Sequence, residues 1–407
     1  MGFREDRRLD EEYIMPTFKR YDVEFVKGEG MHLYDSEGKR YIDFLSGIGV
    51  CSLGHCHPDV VEAVKGQAES LIHVSNYFYI ENRAQVAEKL SDMLARTYDA
   101  TSLPENATIW KTFFANSGAE ANECAIKLAR IAHDSEADGQ PVIVSLEKSF
   151  HGRTLASLVS TGQPALQEGF APMPEGFVYT PRNDIASLEN VFGTYGRRIC
   201  AVIVECIQGE SGVNTCDEDF LKAIRRLCDD SDALMICDEV QSGIFRTGRP
   251  FAFQHFRIVP DIVTMAKGIA SGVPAAACSA RAEIADLMGP GKHGSTFGGS
   301  NLAMSAAAAT LEALDKDDVC ANVTDAGEYL RARLSEIPCV VDVRGIGLMV
   351  GAQLAEGIDA HKVVAEALRK GAVLNATGPS TLRMLPPLIC TRSDVDEFID
   401  ILTDTLD

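Results

Sequence analysis

Apolar residues in the first quarter of the chain fall in short alternating runs and then in runs of helical spacing. The alternating runs are separated by glycine-containing turns, and they predict an antiparallel meander of three strands: Val23–Val26, His32–Tyr34 and Tyr41–Phe44. Apolar residues three and four positions apart then predict two helices, Val60–Leu71 and Glu81–Arg96. Asp59 is predicted to cap the first of these helices.

From residue 108 onward, short continuous apolar runs alternate with amphipathic stretches, which is typical of a parallel sheet with helices on both faces. The predicted strands are Thr108–Phe114, Val142–Ser145, Cys200–Glu205, Leu234–Cys237, Ile262–Ala266 and Ala275–Ser279. A helix is predicted over Glu120–Ala132, and two more follow the last strand, Ala303–Leu314 and Val323–Leu334. The pattern predicts an α/β protein.

The last eighty residues read as a second, α+β piece. Its predicted strands are Val340–Val343, Leu348–Leu354, Val373–Asn375 and Leu382–Met384, and a helix follows over Ser393–Leu406. Because 407 residues exceed one ordinary core, two domains are expected. We expect residues 1–60 and 301–407 to build a small domain from both chain ends, and residues 61–300 to form a large central domain.

The amino-acid composition indicates which binding partners and which cellular location we expect for this protein. A net charge of -21 argues against nucleic acid or an anionic membrane as partner, since both select basic patches. No apolar run approaches the roughly 18 residues of a membrane span, and the first twelve residues contain no apolar signal region. The twelve cysteines are scattered singly, which indicates reduced thiols and a cytoplasmic protein. The run His55-Cys56-His57 lacks a second cluster at zinc spacing, so no metal is expected.

Two ionisable residues stand where apolar runs stop. Asp238 follows the run Leu234–Cys237, and Lys267 follows the run Ile262–Ala266. Ligands of open α/β sheets bind beyond the carboxyl ends of the strands, so both side chains are expected in one crevice. A lysine that forms a Schiff base and a carboxylate that keeps a pyridine nitrogen protonated are what pyridoxal phosphate requires. A strand-end salt bridge and a solvated lysine remain the alternative.

Other short motifs supply groups that suit such a site. Ser117, Gly118 and Ala119 form a small-residue turn before a helix, which is either a phosphate site or an ordinary tight turn. Phe150 and Arg153 belong to the motif FHGRT. The Phe150 ring either stacks on a planar ligand or packs in the core. The Arg153 guanidinium either binds a carboxylate or forms a surface ion pair. The loop HGSTFGG carries two hydroxyls, on Ser295 and Thr296.

One arginine, Arg383, stands in an otherwise apolar strand and therefore needs a partner, for which a carboxylate is the natural choice. Glu210 lies in a loop that opens toward the same crevice from another strand end, and Gln241 lies three positions after Asp238.

Taken in order, these motifs resemble those of the class III (ornithine/GABA-type) aminotransferases over nearly the whole chain. The similar stretches are FLSGIGV, GHCHP, NSGAEANECAIKLAR, FHGRT, VIVECIQGESGV, CDEVQSGIFRTG, DIVTMAKGIASGVP, HGSTFGG, VRGIGLMVG and LNATGPSTLRMLPPL. The resemblance implies PLP-dependent transferase fold type I, with a mostly parallel seven-stranded sheet in the large domain.

The resemblance also implies roles for individual residues. By position it makes Lys267 the Schiff-base lysine and Asp238 the partner of the pyridine nitrogen. The other implied cofactor contacts are Ser117, Gly118, Ala119, Phe150, Gln241 and Thr296. The implied substrate contacts are Ser295, the pair Glu210 and Arg383, and Arg153, which binds the α-carboxylate. Within the pair, the glutamate masks the arginine until 2-oxoglutarate binds. A homodimer is implied, because Thr296 matches a hydroxyl donated to the cofactor phosphate across the dimer interface.

Within the class, the motifs are most similar to those of bacterial acetylornithine aminotransferases. The implied reaction is PLP-dependent transamination between N2-acetylornithine and 2-oxoglutarate in arginine biosynthesis. Ile48 occupies a position where ornithine aminotransferases carry a tyrosine, which weighs against free ornithine. Succinylornithine, ornithine and 4-aminobutyrate aminotransferases remain alternatives. A non-catalytic PLP-binding regulatory protein is an alternative of a different class, but it predicts loss of Lys267 or Asp238, and both residues are present.

Overall fold

The strands of the protein belong to three larger sheets and one short hairpin. The computed structural model describes residues 2–96, 108–133, 138–316 and 318–407. In chain order the strands are β1 (Phe25–Glu29), β2 (His32–Asp35), β3 (Arg40–Asp43), β4 (Trp110–Ala115), β5 (Val142–Leu146), β6 (Phe177–Thr180), β7 (Ile199–Val204), β8 (Ile207–Gln208), β9 (Asn214–Thr215), β10 (Leu234–Asp238), β11 (Ile262–Met265), β12 (Ala276–Arg281), β13 (Val340–Ile346), β14 (Met349–Leu354), β15 (Ala372–Val373), β16 (Asn375–Ala376) and β17 (Thr381–Met384).

Helices cover the sheets and connect their strands. In chain order they are α1 (Phe3–Tyr13), α2 (Pro58–Ser70), α3 (Arg83–Ala95), α4 (Gly118–Ala132), α5 (Leu155–Ser160), α6 (Ile185–Tyr195), α7 (Glu218–Asp230), α8 (Ala282–Ala285), α9 (Asn301–Lys316), α10 (Val319–Ser335), α11 (Ala360–Lys370) and α12 (Arg392–Leu406). Each amphipathic helix packs its apolar face on a sheet or a neighbouring helix, and α4 for example buries Cys124, Leu128 and Ala129.

The central sheet has seven strands in the order β4-β12-β11-β10-β7-β5-β6. The pairs from β11 to β6 are parallel, whereas β12 runs antiparallel to both β11 and β4. Every residue of β5, β7 and β11 is buried, because helices cover both faces, and this explains the continuous apolar runs in the sequence. The mostly parallel seven-stranded α/β sheet that we predicted is confirmed.

The two ends of the chain meet in a smaller sheet. The meander β1-β2-β3 is extended by β15, which pairs in parallel with β3 through Ile42 and Ala372. A separate four-stranded antiparallel sheet, β13-β14-β17-β16, carries Arg383. Both sheets contain residues from the C-terminal third of the chain. The boundaries at residues 60 and 300 stay a prediction.

A buried ion pair follows β3. The Asp43 carboxylate accepts a hydrogen bond from His55 Nε2 at 2.7 Å, and its other oxygen accepts the backbone N–H groups of Leu45 and Ser46, each at 2.8 Å. Burial opposes the charged imidazole, but the interactions with Asp43 and Cys51 together outweigh burial and raise the pKa of His55 to about 10. His55 is therefore protonated at neutral pH.

This pair predicts a pH dependence of folding stability. Because the pKa of His55 is raised above its ordinary 6.5, its contribution to stability is complete below pH 6.5. The contribution is lost progressively as the pH rises from 6.5 toward about 10. Urea unfolding at pH 6, 8 and 10 should show this loss in the wild-type protein and a flatter profile in His55→Gln. If the free energy of unfolding changes equally with pH in both proteins, the pair does not cause the pH dependence.

Several elements differ from the sequence prediction, and for three of them the reason can be identified. α2 begins at Pro58, so Asp59 lies in the first turn and does not cap the helix; proline has no N–H to satisfy and suits this first position. We did not predict α1, since it buries no side chain and is linked by ion pairs such as Arg7–Glu11. The edge strand β6 was also missed, because it has one neighbour in the sheet and three of its four residues are only half-buried.

Candidate active site

The two strand-end residues lie at the same edge of the central sheet. Asp238 is the last residue of β10, and its Cα pairs with that of Thr264 in the neighbouring parallel strand β11. Lys267 follows two residues after β11 ends, in a short 3-10 turn. Both residues line one cavity of about 450 Å³. The prediction that the two side chains share a crevice is confirmed by this geometry.

Asp238 is held by a dense set of hydrogen bonds. Its Oδ2 atom accepts from His151 Nδ1 at 2.7 Å and from Asn122 Nδ2 at 2.8 Å, while Oδ1 accepts the Val240 N–H at 3.0 Å. Burial raises the pKa of Asp238, but the bonds to His151 and the other donors outweigh burial and leave this pKa below its ordinary value. The carboxylate therefore stays charged in a buried position, as a partner for a protonated ring nitrogen.

Lys267 has an environment that favours the neutral amine. Burial lowers the pKa of the Lys267 ammonium, and this effect outweighs the opposing charges of Glu210 and Asp238. The backbone at Lys267 is in the left-handed region, with φ of 45°, an unusual conformation for a residue with a long side chain. A neutral amine can act as a nucleophile or a base at neutral pH, whereas an ordinary lysine cannot.

The turn before α4 forms an anion cradle beside these residues. Ser117 is the N-cap, and its hydroxyl accepts the Glu120 N–H at 3.3 Å. A Cβ on Gly118 would lie 2.6 Å from Val240 Cγ1, so only glycine allows this close approach. Ser117, Gly118 and Ala119 all line the cavity, where the first N–H groups of α4 are available to a phosphate.

The FHGRT loop forms another wall of the cavity. The Phe150 N–H donates to Glu205 Oε1 at 2.8 Å, and the Arg153 guanidinium lies 5.5 Å from the centre of the Phe150 ring. Arg153 is exposed and lines the cavity, so its guanidinium is accessible to a carboxylate. Burial raises the pKa of Glu205 to about 7, although His151 opposes this effect.

The buried arginine has the carboxylate partner that the sequence predicted. Arg383 Nη1 donates to Glu210 Oε1 at 2.6 Å and to Gln241 Oε1 at 3.1 Å, and Gln241 Nε2 donates to the same Glu210 oxygen at 2.9 Å. Arg383 is fully buried, and its Nη2 atom has no hydrogen-bond partner among the residues that the structure describes. Burial raises the pKa of Glu210, but the charge and hydrogen bond of Arg383, together with Lys267 and Gln241, outweigh burial and leave this pKa lowered.

Of the two hydroxyl residues in the loop HGSTFGG, only Ser295 contacts a residue of the cavity wall. Ser295 Oγ accepts a hydrogen bond from Asn116 Nδ2 at 3.2 Å, next to the anion cradle. Thr296 is exposed and does not line the cavity of its own chain. Ser295 and Arg383 do not line the cavity themselves, but each is bonded to a residue that does, Asn116 and Glu210 respectively.

Two residues of the site were given no role by the sequence analysis. His151 and Asn122 both hold Asp238, and Asn122 also accepts the Thr264 hydroxyl at 2.7 Å. Both lie inside motifs that we had singled out, FHGRT and NSGAEANE. Their position inside those motifs was the available signal, but their orientation toward Asp238 depends on the packing of α4 against β11.

The cavity has the groups that pyridoxal phosphate requires. Its anion cradle fits the phosphate because Gly118 and Ala119, the first residues of α4, line the cavity and their N–H groups suit an anion, and Asp238 fits the protonated ring nitrogen. Lys267 fits the aldehyde. Among the described residues, no group of three or more His, Cys, Asp or Glu side chains could hold a metal ion. Fold and site together define a PLP-dependent enzyme of fold type I.

Comparison with known proteins identifies the family of PLP-dependent enzymes to which the chain is similar. Residues 16–406 match the family Aminotransferase class-III. An acetylornithine aminotransferase from Caldanaerobacter subterraneus is 43% identical over 402 residues, 98% of each chain, and one from Methanocaldococcus jannaschii is 43% identical over 97% of this chain and 96% of the relative. The solved acetylornithine aminotransferase of Elizabethkingia anophelis has a TM-score of 0.85 at 31% identity, covering 100% of this chain and 99% of that chain.

A solved ornithine aminotransferase from Toxoplasma gondii, described with partial occupancy of PLP at its active site, gives a TM-score of 0.90 at 29% identity over 99% of this chain and 94% of that chain. This chain belongs to the class-III aminotransferases, and its cofactor is pyridoxal phosphate. None of the helices in the described part of the chain is long and apolar enough to cross a membrane.

Proposed function

We propose that this aminotransferase transfers an amino group between N2-acetylornithine and 2-oxoglutarate, giving N-acetylglutamate 5-semialdehyde and glutamate in arginine biosynthesis. The observation that carries the proposal is the near full-length similarity, at 43% identity, to relatives named acetylornithine aminotransferase. The buried Glu210–Arg383 pair supports it, since the arginine charge is neutralised when the pocket holds a donor without a distal carboxylate.

Each residue has a definable task in this reaction. Bound pyridoxal phosphate would supply the aldehyde that takes up the amino group and the ring that withdraws electrons. Asp238 keeps the ring nitrogen protonated, and Lys267, whose pKa is lowered by burial, moves the proton between the substrate carbon and the cofactor carbon. Arg153 binds the α-carboxylate of the donor, and Phe150 and Gln241 orient the cofactor ring.

If Glu210 masks Arg383, replacing either residue should change the relative rates of the two half-reactions, and each replacement should do so in a different way. Glu210→Ala leaves the arginine charge uncovered, so activity toward glutamate should rise about 10-fold relative to the acylornithine donor, if the pair is worth about 1.4 kcal/mol. Arg383→Ala should instead weaken the 2-oxoglutarate half-reaction more than the donor half-reaction. Single-turnover kinetics of each half-reaction measure both changes. If both variants slow both half-reactions equally, the pair is structural.

A donor panel tests the proposed substrate. The cofactor absorbance is followed in single turnovers with N2-acetylornithine, succinylornithine, ornithine and 4-aminobutyrate, at equal concentrations. We expect N2-acetylornithine to react with the highest kcat/KM, and each alternative donor corresponds to one rival aminotransferase. No absorbance change with any amine would instead support a non-catalytic PLP-binding protein.

We also infer a homodimer in which Thr296 contacts the partner's cofactor phosphate. In support, large apolar side chains surround the Thr296 loop and are exposed, among them Phe297 at 62% and Tyr77 at 94%. Asn76 Nδ2 donates to the Ser295 carbonyl at 2.7 Å, so the Tyr77 segment and this loop form one surface. Light scattering should give twice the chain mass, and Thr296→Val should weaken cofactor binding.

A cytoplasmic location fits this proposal. All twelve cysteines are free thiols, and eight of them are buried, among them Cys124, Cys200 and Cys237. Reduced thiols are the usual state in the cytoplasm.

A further inference from the structure

A second carboxyl group, that of Glu205, lies at the same edge of the central sheet as Asp238. Val204, the last residue of β7, pairs with Cys237 of β10, so Glu205 and Asp238 come next in the two neighbouring strands. Glu205 is 5% exposed and lines the cavity. Burial raises its pKa to about 7, and the charge of Asp238 acts in the same direction. A carboxyl group in such a position is costly unless its oxygens are hydrogen-bonded.

The two oxygens of Glu205 are bonded to two different loops. Oε1 accepts the N–H of Phe150 in the FHGRT loop at 2.8 Å. Oε2 accepts the N–H of Gly209 at 3.3 Å, and Gly209 immediately precedes Glu210. One carboxyl group thus holds both the loop that carries the Phe150 ring and the loop that carries the partner of Arg383.

The Gly209 backbone is also packed against Gln241. A Cβ on Gly209 would lie only 2.0 Å from Gln241 Oε1, so a side chain here would displace the Gln241 amide. The same Gln241 oxygen accepts a hydrogen bond from Arg383, and Gln241 Nε2 donates one to Glu210. Because Gly209 contacts both Glu205 and Gln241, a shift of its backbone would change how Glu210 meets Arg383.

The other hydrogen bond of Glu205 fixes the backbone from which the Phe150 ring projects. The N–H of Phe150 is held by Glu205, and the next N–H, that of His151, donates to Thr161 Oγ1 at 2.8 Å. Phe150 is half-buried and lines the cavity. Stacking on a planar ring requires a defined distance and offset, so it depends on this backbone position.

We propose that Glu205 is a positioning residue for amino transfer, whose carboxyl group sets the positions of the Phe150 ring and of Glu210 together. The part that concerns Glu210 rests on the proposed function, in which this glutamate masks Arg383. Glu205 acts through two backbone N–H groups and does not have to touch the substrate. Its loss should therefore change cofactor retention and donor preference in addition to folding stability.

Glu205→Met tests this role, because methionine has a similar length and offers no oxygen to either N–H group. The holoenzyme of this variant should release pyridoxal phosphate about 5-fold faster on dilution, as measured by absorbance, because Phe150 is less firmly held. Its kcat/KM for glutamate relative to that for N2-acetylornithine should rise about 3-fold or more, because Glu210 covers Arg383 less well. Glu205→Gln keeps one acceptor oxygen, so it should change at least one of these values in the same direction, and it serves if Glu205→Met does not fold.

Asp261→Asn is the matched control. Asp261 is also a buried carboxylate, 1% exposed, and its Oδ2 atom accepts the N–H of Met235 at 2.7 Å. It precedes β11 and so lies at the amino end of that strand, whereas the cavity lies at the carboxyl ends. Its replacement should lower the melting temperature but leave cofactor release and donor preference as in the wild type.

The outcomes separate a positioning role from a structural one. A folded Glu205 variant with a lower melting temperature but unchanged cofactor release and donor preference would overturn the positioning role. A change in only one of the two values in Glu205→Met would overturn the claim that one carboxyl group sets both positions.

Glu210→Ala in the same series tests the proposed function separately. If this variant has the donor preference of the wild type, the masking of Arg383 is wrong, and Glu205 is then judged by cofactor release alone. If the wild type does not react with N2-acetylornithine, the proposed substrate is wrong, and the preference is measured with the donor from the panel that does react.

Discussion

Replacing Lys267 with alanine should lower the rate of amino transfer by about 10³-fold or more, because the variant lacks both the nucleophile and the base of the reaction. The loss is expected in both half-reactions, since the same amine serves each of them. Single-turnover absorbance measurements with N2-acetylornithine and with glutamate would quantify it. The cavity walls do not depend on the lysine side chain, so the variant should still fold.

Chemical labelling gives an independent check on the same residue. Borohydride reduction of the wild-type enzyme, followed by peptide mapping, should place the cofactor on Lys267. Lys127 serves as an internal control, since its ammonium is already bonded to the Lys292 carbonyl at 2.9 Å and it lies outside the cavity. A label on another lysine, or a Lys267→Ala variant with nearly normal turnover, would contradict the assignment.

The second large effect is expected at Asp238. Asp238→Asn preserves size and can still accept one hydrogen bond, but an amide cannot keep a pyridine nitrogen protonated. Turnover should fall by about 10²–10⁴-fold, equivalent to about 3–5 kcal/mol of activation free energy. The cofactor should remain bound, because the anion cradle is untouched.

A control variant separates charge from geometry at this position. Asn122→Ala removes one of the hydrogen bonds to Asp238 but leaves the carboxylate, so its turnover should fall much less than that of Asp238→Asn. If the two variants lose activity equally, the orientation of Asp238, and not its charge, limits the reaction.

Much of the central sheet could be predicted, because its strands are buried on both faces and read as continuous apolar runs. Asp238 and Lys267 were found for the same reason: each is an ionisable residue directly after such a run. Arg383 stood out because a charge in an apolar strand requires a partner. In each case, the cost of burying a charged group leaves a local signal in the sequence.

The remaining features depend on contacts between distant parts of the chain. Nothing local indicates that His151 faces Asp238, or that Asp43 and His55 pair across a turn. Eight of the eleven residues of α1 are charged and none is buried, so its pattern could not be distinguished from a polar loop. By contrast, α11 does have an apolar face, formed by Val363, Val364 and Ala367, and it could have been predicted.

The pairing of β3 with β15 affects the order in which this protein can fold. Ile42 pairs with Ala372, so the N-terminal meander keeps an open strand edge during synthesis until almost the entire chain has left the ribosome. Contacts so distant in sequence form late, and an unpaired edge is a site of aggregation. We therefore expect chains truncated before residue 372 to aggregate, and the wild-type enzyme to depend on protection of this edge while it is being made.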